Sequence, residues 1–526
     1  MRSRCRSWFA MMLLLLCVST ARSQNLAVED SVLQKIWTEA TTNSQLPQMA
    51  HELMDVIGPR LTGTPQMKKA HDWAVAKYTG YGITARNEQW GKWQGWERGV
   101  THIDLLAPRV RTLEGTMLAW SPVTPKNGLQ ATTIILTDIA DSVAFQQWLP
   151  NVKGKLVLIS MPQPTGRPDK DWEEFATKES FEKMKVERDT LRAQWQRRLN
   201  KTKLDQKKLA EALEGAGAAG IISSTWSNGY GVNKIFGANT KKIPTLDLSL
   251  EDYGLVYRLT ENNTQPLLRI VAEAKFTGET PTYNTIGEMR GNAKADEYVM
   301  LSAHFDSWDA SSGATDNGTG TILMMEVMRV LKKVYPNPKR TIMAGHWSSE
   351  EQGLNGSRAF VKDHPEIVAK LQALFNQDNG TGRIERMSGA GLIDAGQSLA
   401  KWLARVPSEV TQELKISFPG MPAGGGSDNA SFIAAGAPGF GLGSNSWNYG
   451  TYTWHTNRDT YDKIVFDDLR NNVVLTASLV YLASEDETFV DRTKRLMPKD
   501  EKTGKPREWP APKDAERAGR LEAEKK

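Results

Sequence analysis

Between residues 281 and 485, short apolar runs alternate with longer amphipathic segments, and this alternation restricts the possible fold more than any other feature of the chain. The predicted elements are, in order, strand Glu297–Ser302, helix Thr319–Leu331, strand Thr341–Trp347, helix Ser357–Ala369 and strand Leu371–Asn376. Strands that alternate with helices assemble into a mostly parallel sheet with helices on its faces. We therefore expect an α/β fold whose ligands bind beyond the carboxyl ends of the strands.

Residues of the types that bind metal ions follow each of these predicted strands. In chain order they are His304, Asp306, Asp316, Glu350, Glu351, Asp378 and, in a later loop, His455. Because the carboxyl ends of parallel strands share one edge of a sheet, we expect most of these side chains to meet there. Carboxylates that gather at one place repel each other unless a cation lies between them. The sequence therefore predicts a metal centre at this edge.

The number of ligands fits two metal ions. Two histidines and three carboxylates can hold a pair of ions ~3.5–4 Å apart if one carboxylate contacts both. We predict that Asp316 is this bridge, because the glycines around it let a short side chain approach both ions. His304 and Asp378 would complete the ligands of one ion, and Glu351 and His455 those of the other. Zinc suits these ligands, and manganese and cobalt accept similar sets.

Two further acids are predicted to act beside the metals. Glu350 precedes a ligand in a loop, where neighbouring side chains can diverge, so its carboxylate can face a water molecule and accept a proton from it. Asp306 lies two residues after His304 and is placed to accept the second imidazole N–H.

Each of these motifs has an ordinary structural interpretation when taken alone. Asp316-Asn317-Gly318 is typical of a turn or a helix N-cap, and Glu350-Glu351 of the first turn of a helix. Asp459 could cap the helix that follows it, and we interpret His346, which lies inside a predicted strand, as a core residue. The recurrence of ligand-type residues at successive strand ends favours the metal centre.

Residues 115–280 have a different texture and predict a smaller, β-rich inserted domain. The strand-like runs Thr132–Ile139 and Gly154–Ser160 precede a charged stretch, Asp169–Glu214, with the apolar spacing of an amphipathic helix or helical hairpin. This helical arm either covers one side of the small domain or binds a partner. We expect a discontinuous catalytic domain, 24–114 and 281–490, and a charged, loosely attached tail, 491–526.

The first 23 residues predict a cleaved signal peptide, and hence a secreted or periplasmic protein. Basic residues precede an apolar run, Trp8–Val18, which is too short to span a bilayer, and Ala21-Arg22-Ser23 suits cleavage after Ser23. The two cysteines, Cys5 and Cys17, both lie in this segment, so the mature chain would have no thiol. Since Leu16 precedes Cys17, a lipid anchor is not favoured.

Composition argues against a nucleic-acid partner, because a net charge of +5 is spread over 526 residues without a basic, aromatic cluster. No second apolar run approaches ~20 residues, so we expect no integral membrane segment in the mature chain. A homodimer is left open.

Six motifs in order make the chain similar to metallopeptidase family 28, a family of di-zinc exopeptidases. They are H-x-D at His304, D-N-G twelve residues later, S-E-E-x-G-L-x-G-S from Ser349, N-x-D at Asn376, S-D-x-x-S-F at Ser427 and H-T-x-x-D-T at His455. The resemblance covers roughly residues 40–110 and 281–485, and the segment between them is similar to a protease-associated domain. It implies that His304, Asp316, Glu351, Asp378 and His455 bind zinc, that Glu350 is the general base and that Asp306 orients His304.

This resemblance implies an exopeptidase that hydrolyses terminal peptide bonds of short peptides. Chain length, the insert and the loops around Ser427 and His455 look most like the carboxypeptidase Q-like branch, with an aminopeptidase as the alternative. The intact ligands argue against the receptor-like members that lost them, and the insert argues against the single-zinc glutaminyl cyclases. A serine hydrolase built on Ser427 and His455 is not favoured, because no G-x-S-x-G motif is present.

The oxyanion donor is the one point where the chain departs from some relatives. Small secreted aminopeptidases of the family have a tyrosine just before S-D, whereas this chain has Gly424-Gly425-Gly426. Tyr449 and Tyr452 are the candidate donors, with simple packing as an equal alternative.

Overall fold

A computed structural model describes residues 30–521. The predicted signal peptide, with Cys5 and Cys17, lies outside the described residues. None of the helices in residues 30–521 is both long enough and apolar enough to cross a membrane.

The described chain consists of helices and strands that alternate through most of its length. The α-helices are α1 (Ser31–Thr42), α2 (Leu46–Ala50), α3 (Pro65–Gly80), α4 (Ser142–Trp148), α5 (Asp169–Phe175), α6 (Lys178–Lys201), α7 (Gln206–Gly215), α8 (Leu250–Glu261), α9 (Thr319–Val334), α10 (Asn355–Asp363), α11 (Pro365–Ala369), α12 (Ala395–Leu403), α13 (Ser408–Thr411), α14 (Asn429–Ala434), α15 (Tyr449–Tyr452) and α16 (Phe466–Glu485). The strands are β1 (Thr84–Ala107), β2 (Arg111–Thr112), β3 (Gly115–Met117), β4 (Leu129–Ile135), β5 (Leu156–Leu158), β6 (Gly220–Ser223), β7 (Thr245–Leu248), β8 (Leu267–Met289), β9 (Lys294–His304), β10 (Arg340–Trp347), β11 (Leu371–Asn376), β12 (Ile384–Ser388), β13 (Lys415–Ser417), β14 (Gly439–Gly441), β15 (Gly443–Ser444) and β16 (Ala518–Gly519).

One large sheet runs through the molecule, and the long strand β8 is its spine. The order of the strands is β14-β11-β9-β10-β8-β4-β5-β6-β7-β3, with β1 paired to β8 along its length. The carboxyl-terminal part of β8 pairs with β10, and its amino-terminal part pairs with β4. Both pairings are antiparallel, so β8 joins two parallel groups of strands.

The parallel group β14-β11-β9-β10 carries the predicted strand ends and confirms the α/β expectation for this region. Every residue of β10 and of β11 is buried. Strands buried on both faces read as continuous apolar runs, which is why these two were readable from the sequence. Helix α9 packs against α16 and α1 and covers one face, while α10, α11 and α14 lie against other parts of the sheet.

Residues 115–280 fold around strands β4, β5, β6 and β7, which run parallel to one another, with β3 antiparallel at the edge. Helices α4 to α8 belong to this segment, which we call the insert, and the charged stretch forms α5, α6 and α7. Because β8 extends from the insert into the main sheet and pairs with β1 along this length, the two parts share one antiparallel ribbon. The division into 24–114 with 281–490 and 115–280 stays a proposal.

Two predicted elements differ in extent from those in the structure. The helix expected over Ser357–Ala369 is two helices, α10 and α11, because Pro365 cannot donate a backbone hydrogen bond and starts a new helix. The runs Ile83–Trp90 and Val100–Leu106 each predict a separate strand from the sequence, but the structure has one strand there, β1, interrupted by irregular pairings to β8. Such bulges break the alternation of apolar residues on which the sequence-based boundaries depended.

The expectation of a loosely attached tail is wrong for residues 491–521. The Trp509 indole donates to the Ile433 carbonyl at 2.9 Å, and Arg517 donates to the Trp90 carbonyl at 2.9 Å. Strand β16 then pairs in parallel with β1. Low hydropathy suggested disorder, but these contacts use backbone groups and single aromatic side chains that composition does not weigh.

Substitution of Gly519 should weaken the attachment of the tail to strand β1. A β-carbon at this position would lie 1.9 Å from the buried Trp93 ring. We expect Gly519→Ala to destabilise the chain by about 1–3 kcal/mol, as overpacking does, and to expose the tail to proteases. Gly215→Ala is the matched control, since a β-carbon there meets nothing within 4 Å. Equal proteolysis of the two variants would contradict this prediction.

Candidate metal centre

Three adjacent parallel strands bring most of the predicted ligands to one edge. His304 is the last residue of β9, and its register partner Trp347 is the last residue of β10. Glu350 and Glu351 follow β10, and Asp378 follows β11 by two residues. These side chains therefore lie at one edge because the carboxyl ends of the parallel strands meet there, as the sequence predicts.

The first cluster consists of His304, Asp316 and Asp378. The His304 Nε2 atom lies 3.0 Å from Asp378 Oδ1 and 3.3 Å from Asp316 Oδ1. All three side chains are almost completely buried, with exposed fractions of 1%, 5% and 8%.

The second cluster uses the other oxygen of the same Asp316 carboxylate. The His455 Nε2 atom lies 3.4 Å from Asp316 Oδ2 and 2.8 Å from Glu351 Oε2. Asp316 therefore faces one imidazole with each oxygen, which is the arrangement expected of a bridge. His455 reaches this position from a loop about 150 residues along the chain from His304.

Asp306 supports the site in a different way from the one predicted. The His304 Nδ1 atom lies 3.0 Å from the backbone carbonyl of Asp306, whereas the nearest carboxylate oxygen is 3.7 Å away. The Asp306 carboxylate instead accepts hydrogen bonds from the backbone N–H groups of Glu350 and Glu351, at 3.1 and 3.2 Å. A two-residue spacing cannot distinguish a carbonyl from a carboxylate as the acceptor, so the sequence could not reveal this difference.

Asp459 holds the backbone of Asp316, the predicted bridge, a role that its motif alone did not reveal. Its carboxylate accepts from the N–H groups of Thr315 at 2.8 Å and Asp316 at 2.9 Å. The helix-capping interpretation of Asp459 is thus replaced by a contact to a loop far away in sequence. Asp459 is 2% exposed, and burial raises its pKa to about 7.

Arg60 is a second residue that sequence reasoning missed. Its guanidinium is completely buried and donates to four backbone carbonyls, those of Gly58, Phe305, Ser312 and Gly313, at 2.7 to 3.1 Å. Three of these carbonyls belong to the segment that connects β9 to Asp316. Burial lowers the pKa of Arg60 to about 10, while Asp459, Asp306 and Asp316 oppose the shift, so Arg60 stays a cation at neutral pH.

Burial and mutual repulsion dominate the ionisation of the acids. Burial raises the pKa of Glu350 and of Glu351 well above the ordinary value. Burial alone would lower the pKa of His304, but the charges of Asp378 and Glu350 raise it well above its usual range. Burial lowers the pKa of His455. The cluster thus competes for protons, as excess negative charge in a dry site must.

The donor atoms fit divalent metal ions. Ligands of tetrahedral zinc, at about 2.0–2.2 Å from the ion, are roughly 3.3–3.6 Å apart, close to the two histidine–Asp316 distances of 3.3 and 3.4 Å. In each cluster all three candidate ligand atoms lie within 4.8 Å of one another. Asp316 Oδ2 and Glu351 Oε1 are buried without a hydrogen-bond partner among the described residues. Buried carboxylate oxygens of this kind call for a cation.

Two groups beside the clusters do not belong to either ligand set. The Glu350 side chain makes no hydrogen bond to another described residue, so its carboxylate is free to act on a bound molecule. Asp428 is completely buried, and neither carboxylate oxygen has a hydrogen-bond partner in the described chain. Burial raises the pKa of Asp428 to about 7.

The structure does not support a serine nucleophile. The Ser427 hydroxyl accepts from the Asn376 amide at 2.8 Å, and His455 directs Nε2 at two carboxylates. Among residues 30–521, no hydrogen bond joins Ser427 to His455.

Two cavities flank the clusters. One, of about 550 Å³, is lined by Thr315 and Tyr449 next to Asp316 and, on its other side, by Lys170 and Tyr230 of the insert. The second, of about 420 Å³, contains Asp378 together with residues of the loop around Ser427. Burial opposes a lowered pKa of Asp316, but His304 and His455, and to a smaller extent the Tyr449 hydroxyl, lower it. The other candidate, Tyr452, packs against Gly229 of the insert.

Comparison with known proteins agrees with this arrangement. Residues 284–480 match the family model for Peptidase family M28. The chain is 25% identical to carboxypeptidase Q of Mus musculus over 451 residues, which are 84% of this chain and 86% of the relative. It is 24% identical to carboxypeptidase Q of Homo sapiens, over 84% of this chain and 85% of that relative.

Solved structures share the fold. A peptidase M28 precursor from Shewanella amazonensis SB2B is similar with a TM-score of 0.64 and 25% identity, covering 89% of this chain and 98% of that one. A zinc aminopeptidase from Bacillus subtilis has a TM-score of 0.54 and 20% identity, covering 86% of this chain and 97% of that one.

Arg60 offers a direct test of the scaffold behind the clusters. We expect Arg60→Met to lower the free energy of unfolding by about 3–5 kcal/mol, because four buried carbonyls lose a charged donor. Arg60→Lys should recover part of this loss. Urea unfolding measures both. The control is Arg405→Met, which removes a half-exposed ion pair with Asp30 and should cost about 0–1 kcal/mol. Similar losses for Arg60→Met and Arg405→Met would contradict the prediction.

Proposed function

This chain is a member of peptidase family M28 and a zinc exopeptidase, and from that premise we propose that it removes terminal residues from short peptides at a two-zinc centre. The resemblance in the motifs of the sequence is confirmed at the level of the family. The observation that carries the proposal is the Asp316 carboxylate, which directs one oxygen at the buried imidazole of His304 and the other at the partly buried imidazole of His455.

We propose that two zinc ions share Asp316. His304 and Asp378 would complete one set of ligands, and Glu351 and His455 the other. When bound, the ions would supply Lewis acidity that polarises the scissile carbonyl and lowers the pKa of a water molecule. The buried, partnerless oxygens of Asp316 and Glu351 support this assignment, and manganese or cobalt would suit the same ligands.

Glu350 is the proposed general base. Its backbone is held by the Asp306 carboxylate, and its own carboxylate is free of hydrogen bonds to the described residues. It would take a proton from the attacking water and deliver it to the leaving amine. Asp306 acts by positioning: it holds the N–H groups of both glutamates while its carbonyl faces His304.

We propose a carboxypeptidase in preference to an aminopeptidase. In the 420 Å³ cavity the charged lining residues are Asp378, a proposed ligand, and Arg386. The Arg386 guanidinium donates to the Ser444 carbonyl at 2.7 Å and also contacts Glu385, and its side chain is half-exposed. A guanidinium that lines the same cavity as Asp378 suits the terminal carboxylate of a peptide, which an arginine can bind through two hydrogen bonds. Both carboxypeptidase Q relatives agree with this direction.

Export to the periplasm or outside the cell and cleavage after Ser23 stay predictions from the sequence.

Replacement of the proposed base tests the chemistry. Glu350→Gln should lower kcat by about 10²–10⁴-fold, because proton transfer is lost while the metal ligands remain. A chelator should abolish the activity of the wild type, and added zinc should restore it. The measurements are peptide hydrolysis and zinc content by atomic absorption. Glu501→Gln in the tail is the control and should match the wild type. Activity that survives both chelator and Glu350→Gln would refute the metal mechanism.

Substrates blocked at one end decide the polarity. A dipeptide acetylated at its amino terminus should be hydrolysed, whereas the same dipeptide amidated at its carboxyl terminus should not. Arg386→Gln should raise KM about tenfold or more for the acetylated substrate, since a hydrogen bond to a charged group is worth about 1.5–3 kcal/mol. Arg383→Gln, outside this cavity, should leave KM unchanged. Hydrolysis of the amidated peptide alone would identify an aminopeptidase.

A further inference from the structure

The insert forms hydrogen bonds with the loop that carries His455. Residues 231–236 of the insert, which we call the finger, lie along residues 449–458, the His455 loop. The Ile235 N–H donates to the carbonyl of His455 itself at 2.8 Å. The finger therefore contacts the backbone of a proposed ligand directly.

Asn457 extends this contact with its side chain. Its Oδ1 accepts from the Asn233 N–H at 2.9 Å, and its Nδ2 donates to the Gly231 carbonyl at 3.0 Å. Its backbone N–H donates to the Asn233 carbonyl at 3.0 Å. These bonds join the finger to the loop on the carboxyl-terminal side of His455.

Lys234 binds the loop on the amino-terminal side of His455. Its ammonium donates to the carbonyls of Gly450 at 3.1 Å and Trp454 at 3.2 Å. It also lies 3.8 Å from the centre of the Trp454 ring, and that ring stacks on His455 with centroids 4.1 Å apart. One cation thus holds the loop at two carbonyls and at the residue beside the ligand.

Two further aromatic side chains contact the imidazole of His455. The Phe236 ring of the finger meets His455 edge-on at 5.4 Å and Trp308 at 5.5 Å. Trp308 in turn meets His455 at 6.2 Å. With Trp454 on one side and Phe236 on the other, the imidazole has few orientations open to it.

The base of the finger is itself anchored in the insert. Asn233 donates to the Leu248 carbonyl at 2.5 Å and to the buried Asp247 carboxylate. Asp247 also accepts from the Ser223 hydroxyl at 2.8 Å and the Thr225 N–H at 3.1 Å. The Asn233 side chain therefore joins the finger to strand β7 directly, and to strand β6 through Asp247.

The His455 loop has little structure of its own to hold the ligand. Its single helix, α15, has four residues, and His455 adopts a φ of +59°, a conformation that residues other than glycine rarely take. Such a backbone persists only where its surroundings hold it in place. The contacts with the finger supply surroundings that can hold the His455 backbone in this conformation.

From these contacts we propose that the insert positions His455 for the second metal ion, with Lys234 as the principal positioning residue. This inference rests on the proposed two-metal function for its purpose, but the contact itself can be measured without metal. It gives the inserted segment a role in completing the metal centre. His304, by contrast, is the last residue of β9, and the pairing of β9 with β10 sets the position of its backbone.

Hydrogen exchange of the full-length, metal-free protein tests the contact first. In Lys234→Met, backbone amides of residues 449–458 should exchange about tenfold faster than in the wild type. Lys234→Arg keeps the cation and should restore slow exchange. Lys207→Met makes the same substitution at an exposed position of α7 and should leave exchange unchanged. Equal exchange in Lys234→Met and Lys207→Met would overturn the inference.

Zinc titration of the apoprotein tests the consequence. We expect Lys234→Met to weaken one of two zinc sites about tenfold and to leave the other unchanged, with Lys234→Arg close to the wild type. Unchanged affinity at both sites, even with faster exchange, would overturn the inference, because the ligand would not need the finger. If the wild type binds a single zinc ion, the two-zinc proposal fails, while exchange still decides whether the finger holds the loop.

Discussion

One buried carboxylate, that of Asp316, lies between the imidazoles of His304 and His455, and the arrangement of the rest of the site follows from this contact. Each oxygen lies within 3.4 Å of a different histidine. In a dry environment such a group, with Asp378 and Glu351 beside it, is strongly unfavourable without positive charge nearby. The chain therefore needs cations at this place, and its own buried Arg60 supplies a fixed one behind the ligand segment.

Much of the support around the two clusters consists of hydrogen bonds to backbone groups. Arg60 donates to carbonyls, whereas Asp459 and Asp306 accept from N–H groups, so charged side chains satisfy the irregular segments on both sides of the clusters. Buried loops need this because their polar groups cannot reach water. A ligand attached to a fixed backbone loses less entropy when a metal binds.

The two histidines illustrate two ways to place a proposed metal ligand. His304 ends a buried strand, and its position follows from the register of β9 against β10. His455 comes from a loop with a left-handed backbone, and a separate part of the chain, the insert, holds that loop. The first arrangement is local and readable from strand patterns. The second depends on contacts over more than 200 residues of sequence, such as that between Asn233 and Asn457.

The sequence by itself determined the α/β arrangement around the site and the identity of the residues that meet there, because buried parallel strands and polar strand ends leave a periodic pattern. It could not show that Asp306 uses its carbonyl toward His304, that Arg60 and Asp459 hold the ligand segments, or that the tail pairs with β1. Those contacts involve backbone groups, which every residue has and no pattern marks. Only the tertiary structure decides which of them meet.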